Sequence, residues 1–223
     1  MSVLHPKIKA LVLLSGGLDS TFNLYQAVKR DTSVAALFFD YGQRAARSER
    51  RACRMLCRHL RVQLIEIKLP WLKAITDTAL VNSQKPLPQF KPTDLDRASK
   101  IQPSARAVWV PNRNGVFIQI AACYADAWNI KRLVVGFNRE EAATFPDNSV
   151  AFVRASNAAL RFSAHTQCRL ESFSLHMDKK QIVRAARRLG FDLTPSWSCY
   201  ETGPKPCGRC ESCQRRKRAF GVR

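Results

Sequence analysis

With 223 residues, 46% of them apolar, the chain is long enough for one α/β domain with a small appendage and a real core. No apolar stretch reaches the ~18 residues of a membrane span, and residues 1–6 carry no apolar leader, so the expectation is a cytoplasmic protein with no membrane partner. That compartment disfavours disulfides, so the 8 cysteines need another role. The net charge of +20 suits nucleotides, a nucleic acid or an acidic protein, or simply a solvated basic surface.

The first element is a short, unalternating apolar run at 10–14, which reads as a buried parallel strand. It ends in Ser15-Gly16-Gly17-Leu18-Asp19-Ser20. Glycines permit positive φ and close backbone approach, and Asp19 and Ser20 are cap-type residues for a helix over 21–29. The first N–H groups of that helix would face an anion. The string ends in neither the Gly-Lys-Ser/Thr of a P-loop nor a GxGxxG fingerprint, so an ordinary glycine turn is the competing reading. Strands are expected again at 34–39, 63–69 and 132–137. Helices are expected at 45–60, 115–128 and 178–189, the last stopped by Gly190. Residues 81–108 carry four prolines and no clear period, and read as a long loop. An alternating piece at 170–177 reads as a last strand. Strands alternating with helices predict a doubly wound parallel sheet, a Rossmann-like α/β fold, with ligands outside the carboxyl ends of the strands. Residues 15–20, 40–44 and 136–147 would gather there.

Near the end, Cys199, Cys207, Cys210 and Cys213 form one upstream cysteine and two overlapping CxxC units. Four thiolates at this spacing suit a closed, structural tetrahedral Zn²⁺ site, and an iron–sulphur cluster is the alternative. Lys205, Arg209, Arg215 and Arg216 stand by to offset the thiolate charge. Cys53, Cys57, Cys123 and Cys168 read as buried small hydrophobes.

The string SGGLDS resembles the PP-loop of the ATP pyrophosphatases, SGGxDS. More pieces follow in order: Asp40-Tyr41-Gly42-Gln43-Arg44 with Glu49, Val110-Pro111-Asn112-Arg113-Asn114, Gly136-Phe137-Asn138, Phe145-Pro146-Asp147 and Lys179-Lys180-Gln181-Ile182-Val183. The last is Trp197-Ser198-Cys199-Tyr200 running into CGRCESC, Arg215 and Ala219-Phe220. Taken together they resemble the 7-cyano-7-deazaguanine synthase family over almost the whole chain.

The resemblance implies an adenine nucleotide α-hydrolase-like domain over 1–195 and a small zinc-binding segment over 196–223. It also implies a homodimer that uses ATP, Mg²⁺ and ammonia to turn 7-carboxy-7-deazaguanine into the nitrile through an adenylated acid and an amide. By the same resemblance, Leu14, Ser15, Gly16, Gly17, Leu18, Asp19 and Ser20 would hold ATP, with Asp19 a candidate Mg²⁺ partner. Arg113 and Asn114 would lie at the nucleotide or the carboxylate, and Asp19, Ser20 and Arg113 would be catalytic. Tyr41, Gln43, Arg44, Glu141, Phe145 and Asp147 would contact the substrate. Phe145 would stack on the base or simply pack in the core. Departures cluster at the base-recognition end, where Glu141 stands in place of Asp, Ala143-Thr144 in place of Ser-Gly, and Asn148 in place of Cys. A divergent relative acting on another carboxylate, or a basic tRNA-binding protein, are therefore further readings.

Overall fold

The computed structural model describes residues 8–31 and 33–222. Residues 1–6, read above as lacking a leader, lie outside them. Five parallel strands form one sheet in the order β3-β2-β1-β4-β5. They are β1 (Ala10–Leu13), β2 (Val34–Asp40), β3 (Gln63–Lys68), β4 (Arg132–Val134) and β5 (Arg169–Glu171). The chain reverses its direction of travel across the sheet between β1 and β4. A crevice opens at such a switch point, outside the carboxyl ends of the strands.

One face of the sheet is covered by α1 (Leu18–Arg30), α2 (Ala46–Leu60), α8 (Lys179–Leu189) and α9 (Glu211–Phe220). Phe22, Leu56, Ile182 and Ala219 meet Val12, Ala36 and Phe38 there. The other face carries α5 (Arg113–Ala127) and α7 (Val150–Ser163), whose Ile118, Ala121, Val153 and Leu160 pack on Leu11, Leu37 and Leu133. Central strands read as continuous apolar runs because both faces are buried. Short helices α3 (Pro70–Ala74), α4 (Ala98–Val108) and α6 (Arg139–Ala142) complete the chain. Among the described residues no helix is long and apolar enough to cross a membrane.

Five expectations change, one being that the strand expected at 132–137 ends at Val134. Helix α1 begins at Leu18, with Gly17 as its N-cap, so Asp19 and Ser20 lie inside the first turn rather than capping it. Residues 81–108 are not all loop: α4 carries Pro103 in its interior and buries Ser104 and Val108. The expected strand at 170–177 stops at Glu171. Beyond it the Ser172 and Ser174 hydroxyls donate to Phe137 O at 2.7 and 2.8 Å, and side-chain bonds of this kind compete with a ladder. Cys123 is exposed on α5, whereas Cys53, Cys57 and Cys168 are buried as expected.

Two glycines set the approach of the layers. Gly16 has φ +76°, and a Cβ there would lie 2.9 Å from Glu49 O and 3.1 Å from Cys53 Sγ. Gly136, just beyond β4, would place a Cβ 2.6 Å from Ser20 N and 2.8 Å from Ser20 Cα. Backbone cannot yield as a flexible side chain can. Gly136→Ala is therefore expected to cost about 1–3 kcal/mol by overpacking, read as a melting temperature lowered by several degrees.

Candidate active site

A cleft of about 280 Å³ opens at the carboxyl ends of β1, β2 and β4. At one end lies the glycine loop. Ser15 Oγ accepts from Gly17 N at 3.3 Å and sits 3.1 Å from Ser20 Oγ, which in turn donates to Gly17 O at 3.2 Å. These bonds shape the loop so that the first N–H groups of α1, which have no intrahelical acceptor, face the cleft. Gly16 lies behind the lining, where its carbonyl accepts from Trp197 N at 2.7 Å.

Asp19 reaches Lys179 Nζ through Oδ2 at 2.5 Å, and Glu141 Oε1 lies 2.9 Å from the same ammonium. Burial raises the Asp19 carboxyl above its ordinary value despite the Lys179 charge. Burial also opposes ionisation of Glu141, but the charges of Lys179 and Arg215 win and hold it low. The Asp19 Oδ1 atom is buried without a hydrogen-bond partner. Asp19 lines the cleft beside the glycine loop, and a buried carboxylate oxygen with no partner is a donor that fits a divalent cation.

Behind this pair stands a second ionic layer. Glu140 accepts from Arg215 and Arg218, each at 2.8 Å, and Arg215 also bonds Glu211. Glu211 accepts from Ser104 of α4. Sequence reasoning assigned Arg215 to the thiolates, but the structure gives it to Glu140 and Glu211.

Arg113 donates to Tyr41 Oη at 3.2 Å and lies 5.8 Å from the centre of that ring. Gln43 lines the cleft, yet its amide is fully used. It accepts from Tyr41 N at 2.9 Å and donates to Phe39 O at 3.0 Å and Glu49 Oε2 at 2.8 Å. Arg44 does not line the cleft. Its guanidinium instead pairs with Glu201 and donates to Lys85 O at 2.9 Å, tying residues 79–85 to the cysteine segment. At the far end, Phe145 and Trp109 present near-parallel rings with centres 6.2 Å apart. Asp147 and Asn114 lie beside them, with Asn114 Nδ2 3.5 Å from Asp147 O.

The four predicted cysteines converge, their Sγ atoms within 4.8 Å of one another and those of Cys207 and Cys213 at 3.9 Å. A tetrahedron of ~2.3 Å zinc–sulphur bonds has edges close to this. An iron–sulphur cubane with one cysteine per iron would spread the sulphurs further. Backbone N–H groups of Glu201 and Cys207 point at Cys199 Sγ, that of Cys210 at Cys207 Sγ, and that of Cys213 at Cys210 Sγ, at 3.3–3.4 Å. Gly208 turns the chain at φ +73°. Such N–H groups stabilise thiolates, so the donor set is compatible with a single zinc ion. The segment also walls the cleft through Trp197, Ser198, Tyr200 and Ser212.

Lys179, Glu49, Trp109 and Tyr200 also line the cleft and were not singled out as site residues. One of them had a readable signal: Glu49 falls on the apolar stripe of α2 with Ala52 and Leu56, where a carboxylate is out of place. Lys179 opens α8 beside the Asp178–Gln181 capping box, and only the fold reveals its burial, which is rare for lysine.

A parallel sheet with a glycine anion loop at its switch point, backed by a four-thiolate knuckle, defines a nucleotide-binding α/β protein of the PP-loop type. The sequence model described as "Queuosine biosynthesis protein QueC" matches residues 9–222, and the chain belongs to that family. Similar proteins include the 7-cyano-7-deazaguanine synthase of Pelotomaculum thermopropionicum, 45% identical over 95% of this chain and 96% of its own. That of Bdellovibrio bacteriovorus is 42% identical over 95% and 92%. Among solved structures, NMN synthetase from Francisella tularensis covers 98% of this chain and 74% of its own at 16% identity, with a TM-score of 0.49.

Two predictions rest on these contacts. The Arg215 and Arg218 bonds outweigh burial and hold the Glu140 carboxyl down at about 2, against an ordinary 4.5. A depressed carboxyl stabilises the fold above its unfolded pKa and loses that contribution as pH falls towards the folded value. In urea titrations from pH 5 to pH 2, Glu140→Gln should therefore start less stable and show a flatter decline than the parent. Cys210→Ser should lose zinc, read by elemental analysis, and melt at a lower temperature, because metal binding is coupled to folding of the segment.

Proposed function

We propose that this protein is a 7-cyano-7-deazaguanine synthase, an ATP-dependent ligase-type enzyme that converts 7-carboxy-7-deazaguanine and ammonia into the nitrile. One observation carries the reading beyond family membership. The cleft joins an anion-binding helix terminus at Ser15–Ser20 to an aromatic pair, Phe145 and Trp109, flanked by Asp147. A triphosphate suits the first end, and a flat, hydrogen-bonding heterocycle suits the second. Asp147, which burial raises above the usual carboxyl range, is the acceptor offered to the base. Glu141 is already committed to Lys179, which leaves base recognition to the loop residues after it.

The chemistry follows from what each end holds. A carboxylate is a poor electrophile, so its oxygen must be activated on the α-phosphorus of ATP. The α1 N-terminus and Lys179 stabilise the charge that builds on the departing pyrophosphate. Asp19 would hold Mg²⁺, which supplies Lewis-acid neutralisation of the phosphates when bound. Arg113, fixed by Tyr41, lies where the activated carboxylate would meet it. Ammonia then gives the amide, and a second activation removes the amide oxygen. Holding both reactants in one cleft is the main gain.

We further propose zinc at the four cysteines, a metal-binding segment at 196–223 beside a body at 1–195, and a cytoplasmic location. The exposed apolar stripe of α7 and the 94% exposed Phe162 support a homodimer. The exposed stripe of Arg47, Arg51, Arg54 and Arg58 on α2 supports a second reading of the net charge, as a contact for nucleic acid.

The test incubates the protein with 7-carboxy-7-deazaguanine, ATP, Mg²⁺ and ammonium and follows nitrile and amide by mass spectrometry. Substrate-dependent nitrile is expected, with Asp19→Ala folded but reduced at least ~100-fold. AMP or ADP release that ignores the deazaguanine acid would overturn the assignment of substrate.

A further inference from the structure

Four carboxylates line the cleft: Asp19, Glu49, Glu141 and Asp147. Asp19 and Glu141 are ion-paired to Lys179. Asp147 belongs to the aromatic end. Glu49 has no ion pair among the described residues, and the function above does not use it.

Its placement is specific. Glu49 sits in the first turn of α2, whose backbone packs on the glycine loop, with Glu49 O 2.9 Å from the position a Gly16 Cβ would take. Its Oε2 is fixed by Gln43 Nε2 at 2.8 Å. Gln43 is itself locked by Phe39 O and Tyr41 N, so the carboxylate is held in one orientation. Its Oε1 carries no hydrogen bond among the described residues. Glu49 lines the cleft together with the Ser15–Ser20 loop and the Tyr41–Arg113 pair, and the Arg113 charge acts on its carboxylate.

We infer that Glu49 is the general base of the ammonia step. The inference rests on the synthase reading. The ammonia lone pair forms a C–N bond to the activated carboxyl carbon. The C–O bond to the phosphate breaks, and its electron pair leaves on AMP. The nitrogen, carrying one proton too many, passes it to Glu49 Oε1, which releases it to water. The same carboxylate is placed to take the two N–H protons in turn, one as the amide oxygen is joined to the α-phosphorus and pyrophosphate leaves, the other as the C–O bond breaks, its electron pair leaves on a second AMP and the nitrile forms, each proton being released to water.

Acidity agrees with the geometry. Burial pushes the Glu49 carboxyl up to about 7 against the Gln43 hydrogen bond and the Arg113 charge, with Asp40 adding to the rise. The other titratable groups facing it are Tyr41 and Cys53, both pushed up by burial and so uncharged at neutral pH. A base that titrates near the working pH both accepts and returns a proton efficiently.

The test uses the full-length protein and compares Glu49→Gln with Glu49→Asp. Two rates are read for each: acid-dependent ATP–pyrophosphate exchange, which needs no ammonia, and amide formation from ammonium. Glu49→Gln is expected to lose about 100-fold or more in amide formation, far more than it loses in exchange. Glu49→Asp should recover part of the loss. Hydroxylamine, which is uncharged at pH 7, should restore product in Glu49→Gln as the hydroxamate. Below pH 7 the parent's log rate of amide formation should rise with a slope of about 2, for ammonia and base together, and the variant's with about 1. Amide formation within ~3-fold of the parent would overturn the inference. So would equal losses in exchange and amide formation with a lowered melting temperature, which would mark Glu49 as structural. No acid-dependent exchange in the parent would remove the synthase reading itself and this inference with it.

Discussion

The Lys179 ammonium is the point on which the site turns. It is buried between Asp19 of α1 and Glu141 of α6, the short helix after β4. A lone buried cation would cost several kcal/mol, and two facing carboxylates without it would repel each other into protonation. With all three in place the charges hold one another, and the two carboxylates raise the Lys179 pKa despite burial. The arrangement fixes three separate stretches of chain at one atom: the first turn of α1, α6 and the start of α8. Removing Lys179 would leave two buried carboxylates without a cation, whereas removing either carboxylate still leaves the ammonium one partner.

A second ionic layer extends that constraint outwards. Glu140 receives Arg215 and Arg218 from α9, and Glu211 is held by Ser104 of α4. The stretch around Glu140, the cysteine segment and the 81–108 excursion are therefore one polar unit, because every charge in it is shared. About half of the cleft's walls come from loops, and ion pairs tie the segments around them to one another. The side chains along this edge of the cleft are thereby held in place by partners on several different segments.

Much of this was legible in the residues. The unbroken apolar run before SGGLDS gave a buried parallel strand, and the CxxCxxC spacing gave a converging thiol set, because both are short-range patterns. Gly190 stops α8 with φ +73°, as its place after a periodic run implied. Other features escaped because they depend on tertiary partners. Pro103 argued against a helix, but α4 tolerates it where burial of Ser104 and Val108 sustains the segment. Arg44 sat in a site-like string and yet turns to Glu201, since a long guanidinium reaches whichever carboxylate the fold brings near. Lys179 looked like an ordinary first-turn residue, and only the packing of α8 on α1 made it part of the site.

The Trp197–Gly16 bond carries an evolutionary consequence. The cysteine segment touches the body through that backbone bond, through Arg44–Glu201, through Phe90 N to Arg209 O at 2.8 Å, and through the Glu140–Arg215 pair. Each joins residues far apart in the chain, and two run through main-chain atoms that side-chain substitution cannot remove. A knuckle attached in this way is not an interchangeable cassette. A chimera that borrows it from a relative must bring matching partners at these contacts and at others such as Ser104–Glu211 and Ser48–Gly203, so the two parts are bound to drift together in sequence and to be inherited as one piece.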